Sequence, residues 1–131
     1  MKFQPDRLEG VNAITRHTAT VVTVNAQPWS GSIIVPWQGE VTAWTGAQLG
    51  HLMPAHFAQL VALQPELVIF GSGARIRFQR PEIVRALIEA RIGLETMDTA
   101  AACRTYNVLA SEGRRVVAAL LPGDNDIQNS V

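Results

Sequence analysis

Two groups of residues with chemically useful side chains or backbones follow short apolar segments of the chain. Gly71-Ser72-Gly73 comes directly after the apolar run at residues 67–70. Asp98-Thr99 comes directly after residues 94–97. A glycine-rich turn can present backbone N–H groups to an anion, and a carboxylate at a helix start can serve as a catalytic base or as a helix cap. The two groups therefore predict a candidate site for an anion or small molecule.

The structural alternatives for these residues are a tight turn and a simple helix cap. The glycine turn lacks the third glycine of a dinucleotide-binding fingerprint and the lysine of a phosphate-binding loop. Glycine also suits a turn that needs a positive φ. We therefore favour a tight turn at Ser72 and N-capping at Asp98 or Thr99 over ligand binding.

Cys103, Arg104 and Arg75 complete the candidate ligand-binding set. Cys103 lies one turn into the helix predicted after Asp98, where the helix end and Arg104 would lower the pKa of the thiol and make it a nucleophile. The same cysteine shares a helical face with residues typical of a core, namely Thr99, Ala102, Tyr106, Leu109 and Ala110. We favour a packed structural thiol, and no catalytic residue is predicted.

Metal and cofactor sites are not indicated. His51 and His56 are five residues apart, a spacing that puts them on different helix faces. With one cysteine in the chain and no third ligand nearby, the sequence predicts no metal and no cofactor. Arg75 and Arg77 alternate on a possible strand and could bind phosphate or an acidic partner, although a solvated edge is the favoured interpretation.

The tryptophans Trp29, Trp37 and Trp44 recur in the predicted hairpin region. Trp29 and Trp37 each follow a proline at a predicted turn. They either pack on the core or lie exposed as a contact for another protein. Core packing is favoured, and protein contact is the alternative.

Composition limits the class of protein. The 131 residues predict one domain, with a core at about residues 12–121 and a flexible tail at residues 122–131. Eleven basic and eleven acidic residues cancel, which argues against nucleic acid as a partner and leaves little repulsion against weak self-association. One cysteine, no apolar run of about 18 residues and no signal-peptide core predict a cytoplasmic protein without membrane insertion.

Hydrophobic patterning predicts a mixed sheet. Strands are expected at residues 14–16, 21–24, 32–35 and 41–44, as antiparallel hairpins. A short helix is expected from Pro54 to about Leu63, after which strands and helices alternate. The strands are at residues 67–70, 94–97 and 116–121, with residues 74–78 as a possible extension of the first, and the helices run from Pro81 towards Gly93 and from Asp98 or Thr99 to about Glu112.

Strand–helix–strand order places the two candidate groups together. Strands at residues 67–70 and 94–97 joined through a helix should be parallel, so their carboxyl ends share one edge of the sheet. Ligands of open α/β sheets bind outside such ends. The sequence therefore predicts an α/β fold in which Gly71-Ser72-Gly73 faces Asp98-Thr99.

The chain also resembles a known family, the small Mth938-like domains, which include a mitochondrial assembly factor of respiratory complex I. The resemblance covers residues 14–121 and is carried by Leu67-Val68-Ile69-Phe70-Gly71-Ser72-Gly73, by Met97-Asp98-Thr99-Ala100-Ala101-Ala102-Cys103-Arg104-Thr105-Tyr106-Asn107-Val108-Leu109 and by Glu112-Gly113-Arg114-Arg115-Val116. It implies a three-layer α/β domain with a mixed central sheet, helices and an additional β-hairpin layer. It implies no catalytic residue and no cofactor.

The function implied by the resemblance is a non-enzymatic helper that binds other proteins during assembly of a membrane or respiratory complex. The lack of a mitochondrial presequence points to a bacterial member. The competing hypothesis is a small-molecule or anion binder, or an enzyme, with its site where Gly71-Ser72-Gly73 meets Asp98-Thr99.

Overall fold

The structure, a computed structural model, describes residues 10–123, which form five strands followed by alternating helices and strands. In chain order the elements are β1 Ile14–His17, β2 Val21–Val24, β3 Gln27–Ser30, β4 Ile33–Pro36, β5 Thr42–Ala43, α1 Pro54–Ala58, a 3₁₀ helix Gln59–Leu63, β6 Leu67–Gly71, α2 Pro81–Glu89, β7 Gly93–Met97, α3 Thr99–Ser111 and β8 Val116–Leu120. Residues 124–131, most of the tail predicted to be flexible, lie outside the described residues.

The central sheet has five strands in the order β5-β4-β8-β6-β7. β6 pairs in parallel with β7 on one side and with β8 on the other, whereas β4 runs antiparallel to β8. Gly71 lies opposite Met97 in the first of these ladders. The predicted parallel neighbours and the mixed sheet are therefore confirmed.

Both faces of this sheet are covered. Alternation along β6 directs Val68 and Phe70 towards the layer formed by α1, the 3₁₀ helix and α2. It directs Ile69 towards α3 and the hairpin sheet, where Cys103 and Tyr106 also pack. All five residues of β8 are buried, as expected for a strand covered on two sides. This arrangement confirms the three-layer α/β fold with an additional hairpin layer.

The hairpin layer is a three-stranded antiparallel sheet in the order β1-β2-β3. Asn25 and Ala26 have φ angles of 52° and 70°, as a two-residue hairpin turn of the type I′ class requires. The strand predicted at residues 21–24 ends at this turn, and β3 was not predicted because a proline at position 28 is typical of a break in a strand. Pro28 is tolerated because β3 is an edge strand, where no neighbour needs the missing N–H.

Two further predictions were wrong in detail. The strand predicted at residues 32–35 leaves the hairpin layer and pairs with β8, so that Ile34 lies opposite Ala119. Residues 74–78 form no strand, because β6 ends at Gly71 and Gly73, with a φ of 100°, turns the chain away from the sheet.

Candidate functional site

The rim where the parallel strands end is closed by hydrogen bonds within the protein. The Gly73 N–H donates to Thr99 Oγ1 at 2.9 Å, and that hydroxyl donates to the Leu121 carbonyl at 2.7 Å. The Ser72 N–H donates to the Met97 carbonyl at 2.9 Å. Thr99 thus joins the ends of β6 and β8 to the start of α3. The anion-site hypothesis loses two of its donors, since the N–H groups of Ser72 and Gly73 are already bonded.

Gly71 is required at this rim by close packing. A Cβ at this position would lie 2.9 Å from Leu120 Cδ2, 3.0 Å from Thr99 Oγ1 and 3.1 Å from Thr99 Cα. Real Cβ contacts are longer than this, so a side chain here would push the Thr99 backbone away from β6. The absence of a side chain at Gly71 therefore allows the first residue of α3 to pack closely against β6.

The Ser72 side chain holds the loop that follows β6. Its hydroxyl is buried, donates to the Arg75 carbonyl at 2.7 Å and accepts from the Arg77 N–H at 2.8 Å. These hydrogen bonds make Ser72 an anchor for the loop.

Asp98 takes the helix-capping role. Its carboxylate accepts from the Ala101 N–H at 2.9 Å, and its extended backbone makes it the N-cap of α3. A cleft of about 240 Å³ lies beside it, lined by His17, Thr18, Ala19, Gly73, Ala74, Asp98, Thr99, Ala100 and Gly123. Ligand pockets usually measure about 300–1,000 Å³. The predicted juxtaposition of Gly73 with Asp98 and Thr99 is present, but the space between them is small.

Cys103 lies in the core and not in this cleft. Its side chain is 1% exposed, and burial raises its pKa to about 11 despite the opposing charge of the exposed Arg104. A thiol is a nucleophile only as the thiolate. At neutral pH the Cys103 side chain is therefore protonated and inaccessible.

Thiol labelling tests this assignment. In the native protein we expect a large excess of a maleimide to leave Cys103 unmodified at pH 7, and we expect complete modification in urea that unfolds the chain. Intact-mass measurement distinguishes the two states. Rapid, stoichiometric labelling of the folded protein would contradict the burial and reopen the nucleophile hypothesis.

The tryptophans lie at different depths. Trp44 is 1% exposed and packs among Phe57 and Phe70, so a partner contact at Trp44 does not fit its burial. Trp29 and Trp37 are half-buried and pack against the core with part of each ring at the surface. Only these two can contribute to a protein contact without rearrangement.

The largest exposed apolar side chains near the rim belong to the loop between β6 and α2, which we call the arginine–apolar loop (residues 74–80). Phe78 is 74% exposed and Ile76 is 50% exposed. The arginines Arg75 and Arg80 in the same loop are also exposed. Arg75 was predicted as a ligand-binding residue. The exposed surface around it was not predicted, because the alternating polar and apolar residues of this loop resemble a strand.

A second cleft, of about 610 Å³, lies at the opposite edge of the parallel strands. Glu66 in this cleft accepts from the Arg115 N–H at 2.8 Å and lies 3.4 Å from Arg114 Nε. The Arg115 N–H and the two guanidinium charges hold the pKa of the Glu66 carboxyl below its usual range. These contacts tie the residue before β6 to the residues before β8.

Two kinds of site are absent from residues 10–123. No group of three or more histidine, cysteine, aspartate or glutamate side chains is placed to hold a metal ion within that range. None of the helices in the same range is long and apolar enough to cross a membrane.

Comparison with known proteins gives relatives for most of the chain. NADH dehydrogenase [ubiquinone] 1 alpha subcomplex assembly factor 3 of Bos taurus is 34% identical over 84 residues, which are 63% of this chain and 46% of the bovine protein. The chain thus matches about half the length of this curated relative. A crystal structure of a Bordetella parapertussis protein is 38% identical with a TM-score of 0.81, over 86% of this chain and 97% of the other.

The family assignment follows from two further matches. A solution NMR structure of a Bordetella pertussis protein, described as a Mth938-like domain, has a TM-score of 0.79 and 32% identity over 93% of this chain and 92% of the other. The resemblance to Mth938-like domains is therefore confirmed. Since the model of one protein family matches residues 14–121, the chain belongs to the DUF498/DUF598 family of proteins of unknown function.

Proposed function

We propose that this protein is a non-enzymatic binding module that helps a multi-subunit complex, membrane-bound or respiratory, to assemble. The observation that carries the proposal is the arginine–apolar loop, which leaves Phe78 and Ile76 largely uncovered beside a closed rim. Exposed apolar clusters of this kind mark protein contacts. The bovine relative is named as an assembly factor of NADH dehydrogenase, which supports the same role.

The chemistry of the rim supports a binding role over catalysis. The hydroxyls of Ser72 and Thr99 are bonded within the protein, and Cys103 is buried. Asp98 caps its own helix. We propose the cytoplasm as the compartment, because the lone cysteine suits a reducing environment.

Partner capture tests the proposed function. The tagged full chain is cross-linked in its native host and purified, and bound proteins are identified by mass spectrometry. An assembly helper acts before the complex is finished. We therefore expect subunits of one complex to co-purify, to run as a partly assembled species on native gels, and to be absent with a tagged unrelated protein of similar size.

A second arm looks for a small molecule. Native mass spectrometry of the uncross-linked protein should give the mass of the chain alone or with protein partners. A stoichiometric small molecule released on unfolding, without any protein partner, would favour the competing hypothesis of a ligand binder at the rim.

A further inference from the structure

Hydrogen bonds to the backbone at both ends of the arginine–apolar loop fix the loop with its apolar side chains exposed. The Ser72 hydroxyl bonds to the backbone of both Arg75 and Arg77, so the chain is clamped on either side of Ile76. At the other end the Arg80 carbonyl accepts from the Ile83 N–H at 2.9 Å, where α2 begins. A loop anchored at both ends holds Ile76 and Phe78 outward and loses little conformational entropy when a partner binds.

The charge of the loop is of one sign. Arg75 and Arg80 are exposed on either side of the two apolar side chains. No acidic residue occurs between Glu66 and Glu82. The whole chain has a net charge of zero, so the positive charge of this loop is balanced by acidic residues elsewhere in the chain. Arginine forms bidentate pairs with carboxylates and is enriched with aromatic residues in protein interfaces.

We propose that the arginine–apolar loop is the docking surface for a partner protein that presents an apolar pocket rimmed by aspartate or glutamate. Phe78 enters the pocket with Ile76 beside it, and Arg75 and Arg80 pair with the carboxylates. This proposal rests on the proposed function and names the chemistry of the partner.

Two other occupants fit the observations less well. A second copy of this chain would meet the loop through a twofold axis, which sets the same surface on both sides and brings arginine against arginine. An anionic membrane is held by clusters of about four to eight basic residues, whereas Arg75 and Arg80 are the two exposed cations of the loop. A protein with carboxylates matches both the charge and the apolar side chains.

Site-specific cross-linking tests the contact. Phe78→p-benzoylphenylalanine in the full chain places a photoreactive ring at the centre of the surface, and Val108→p-benzoylphenylalanine on α3 is the control at a residue that is 55% exposed. After irradiation in the native host, we expect the Phe78 variant to capture a protein and the Val108 variant not to. Peptide mapping of the captured protein should locate the cross-link beside aspartate or glutamate residues.

Charge reversal measures the contribution of the arginines. With the captured protein purified, Arg75→Glu combined with Arg80→Glu should weaken binding by about 30-fold, the loss expected from interface hot spots. Arg16→Glu, at an exposed arginine on β1, should leave affinity within about twofold. Reversal of the partner's mapped carboxylates to lysine should restore binding to the Arg75/Arg80 variant. Circular dichroism and thermal unfolding verify that each variant is folded.

Each remaining outcome overturns the inference. Capture of a second copy from Phe78, or co-sedimentation with vesicles of 30% phosphatidylglycerol in phosphatidylcholine that is lost in Arg75→Glu, would assign the loop to a different occupant. A partner captured only from Val108 would refute the docking surface but leave the proposed function intact. Capture of no protein from either position, with none in the partner-capture experiment, would refute both.

Discussion

Replacement of Trp44 with alanine should lower the free energy of unfolding by about 3–5 kcal/mol, the loss typical of large aromatic truncations in a core. The ring is 1% exposed and packs edge-to-face on Phe57 and Phe70, with centroid distances of 5.5 and 6.0 Å. Its Nε1–H donates to the His56 carbonyl at 3.0 Å. Trp44 therefore joins α1 to the central sheet, and its removal leaves a cavity and takes one donor from the His56 carbonyl, which also accepts from Gln59 Nε2 at 3.3 Å.

Equilibrium unfolding in urea, followed by far-ultraviolet circular dichroism, measures this loss. Trp29→Ala is the matched control, because the same atoms are removed from a half-buried position in the hairpin layer, and its loss should be smaller by at least about 2 kcal/mol. Domains of this size have total stabilities of about 5–15 kcal/mol, so the loss at Trp44 should remove a large part of the total. A loss below about 1 kcal/mol at Trp44 would mean that its ring is not part of the core.

The alternating half of the fold was predictable because its signals are local. The apolar run of β6, the amphipathic pattern of α2 and the aspartate before α3 each occur within a few residues, and each located its element, although α2 ends at Glu89 and not near Gly93 as predicted. The parallel pairing of β6 with β7 then followed from the crossover between them. None of these inferences needed to know which distant residues would come together.

The fold of the first part of the chain depends on pairing between strands that are far apart in the sequence. β4 looks like another hairpin strand, but Ile34 pairs with Ala119, far along the chain. Whether a strand stays with its sequence neighbours or joins another sheet depends on which partner buries more apolar surface, and local periodicity does not report this. β3 was missed for the same reason, since Pro28 is acceptable only if the strand lies at an edge.

The residues that carry the family resemblance were visible in the sequence, but their roles were not. Asn107 donates to the Ile14 carbonyl at 2.7 Å and accepts from the Ile14 N–H at 2.8 Å, so its side chain holds β1 in place. The Tyr106 hydroxyl lies 2.9 Å from the carbonyl of Asn12 and 3.1 Å from that of Pro36. These polar side chains of α3 therefore attach β1 and the end of β4 to the helix, a role that becomes clear only when residues 70 to 94 positions away are placed beside them.

Asn12 has a structural role that was not predicted from the sequence. It is buried, donates from Nδ2 to the carbonyls of Pro36 and Gly39, and accepts from the Asn25 side chain. A single asparagine between Val11 and Ala13 gives no local signal of such a role. The exposed position of Phe78 was also not predicted. Residues 74–78 resemble an extension of the strand that contains Phe70, yet Phe78 stays outside the core while Phe70 lies within it.

Replacement of Thr99 with valine should cost about 2–4 kcal/mol of unfolding free energy, although the two side chains have nearly the same shape. The hydroxyl accepts from the Gly73 N–H and donates to the Leu121 carbonyl, and Thr99 is buried. Valine leaves both backbone groups without that partner, at about 1–3 kcal/mol for each unsatisfied buried group.

The same variant separates the two functional hypotheses. Thr105→Val is the control, since it makes the same change at a half-buried position on the same helix and should cost less than about 1 kcal/mol. If the Thr99 hydroxyl serves only to hold the rim together, the Thr99→Val protein should be less stable. It should still bind its protein partner at a temperature where it remains folded. If the rim instead binds a ligand through this hydroxyl, stability should change little while ligand binding is lost. The second result would overturn the assignment of the rim as a structural junction and would restore the small-molecule hypothesis.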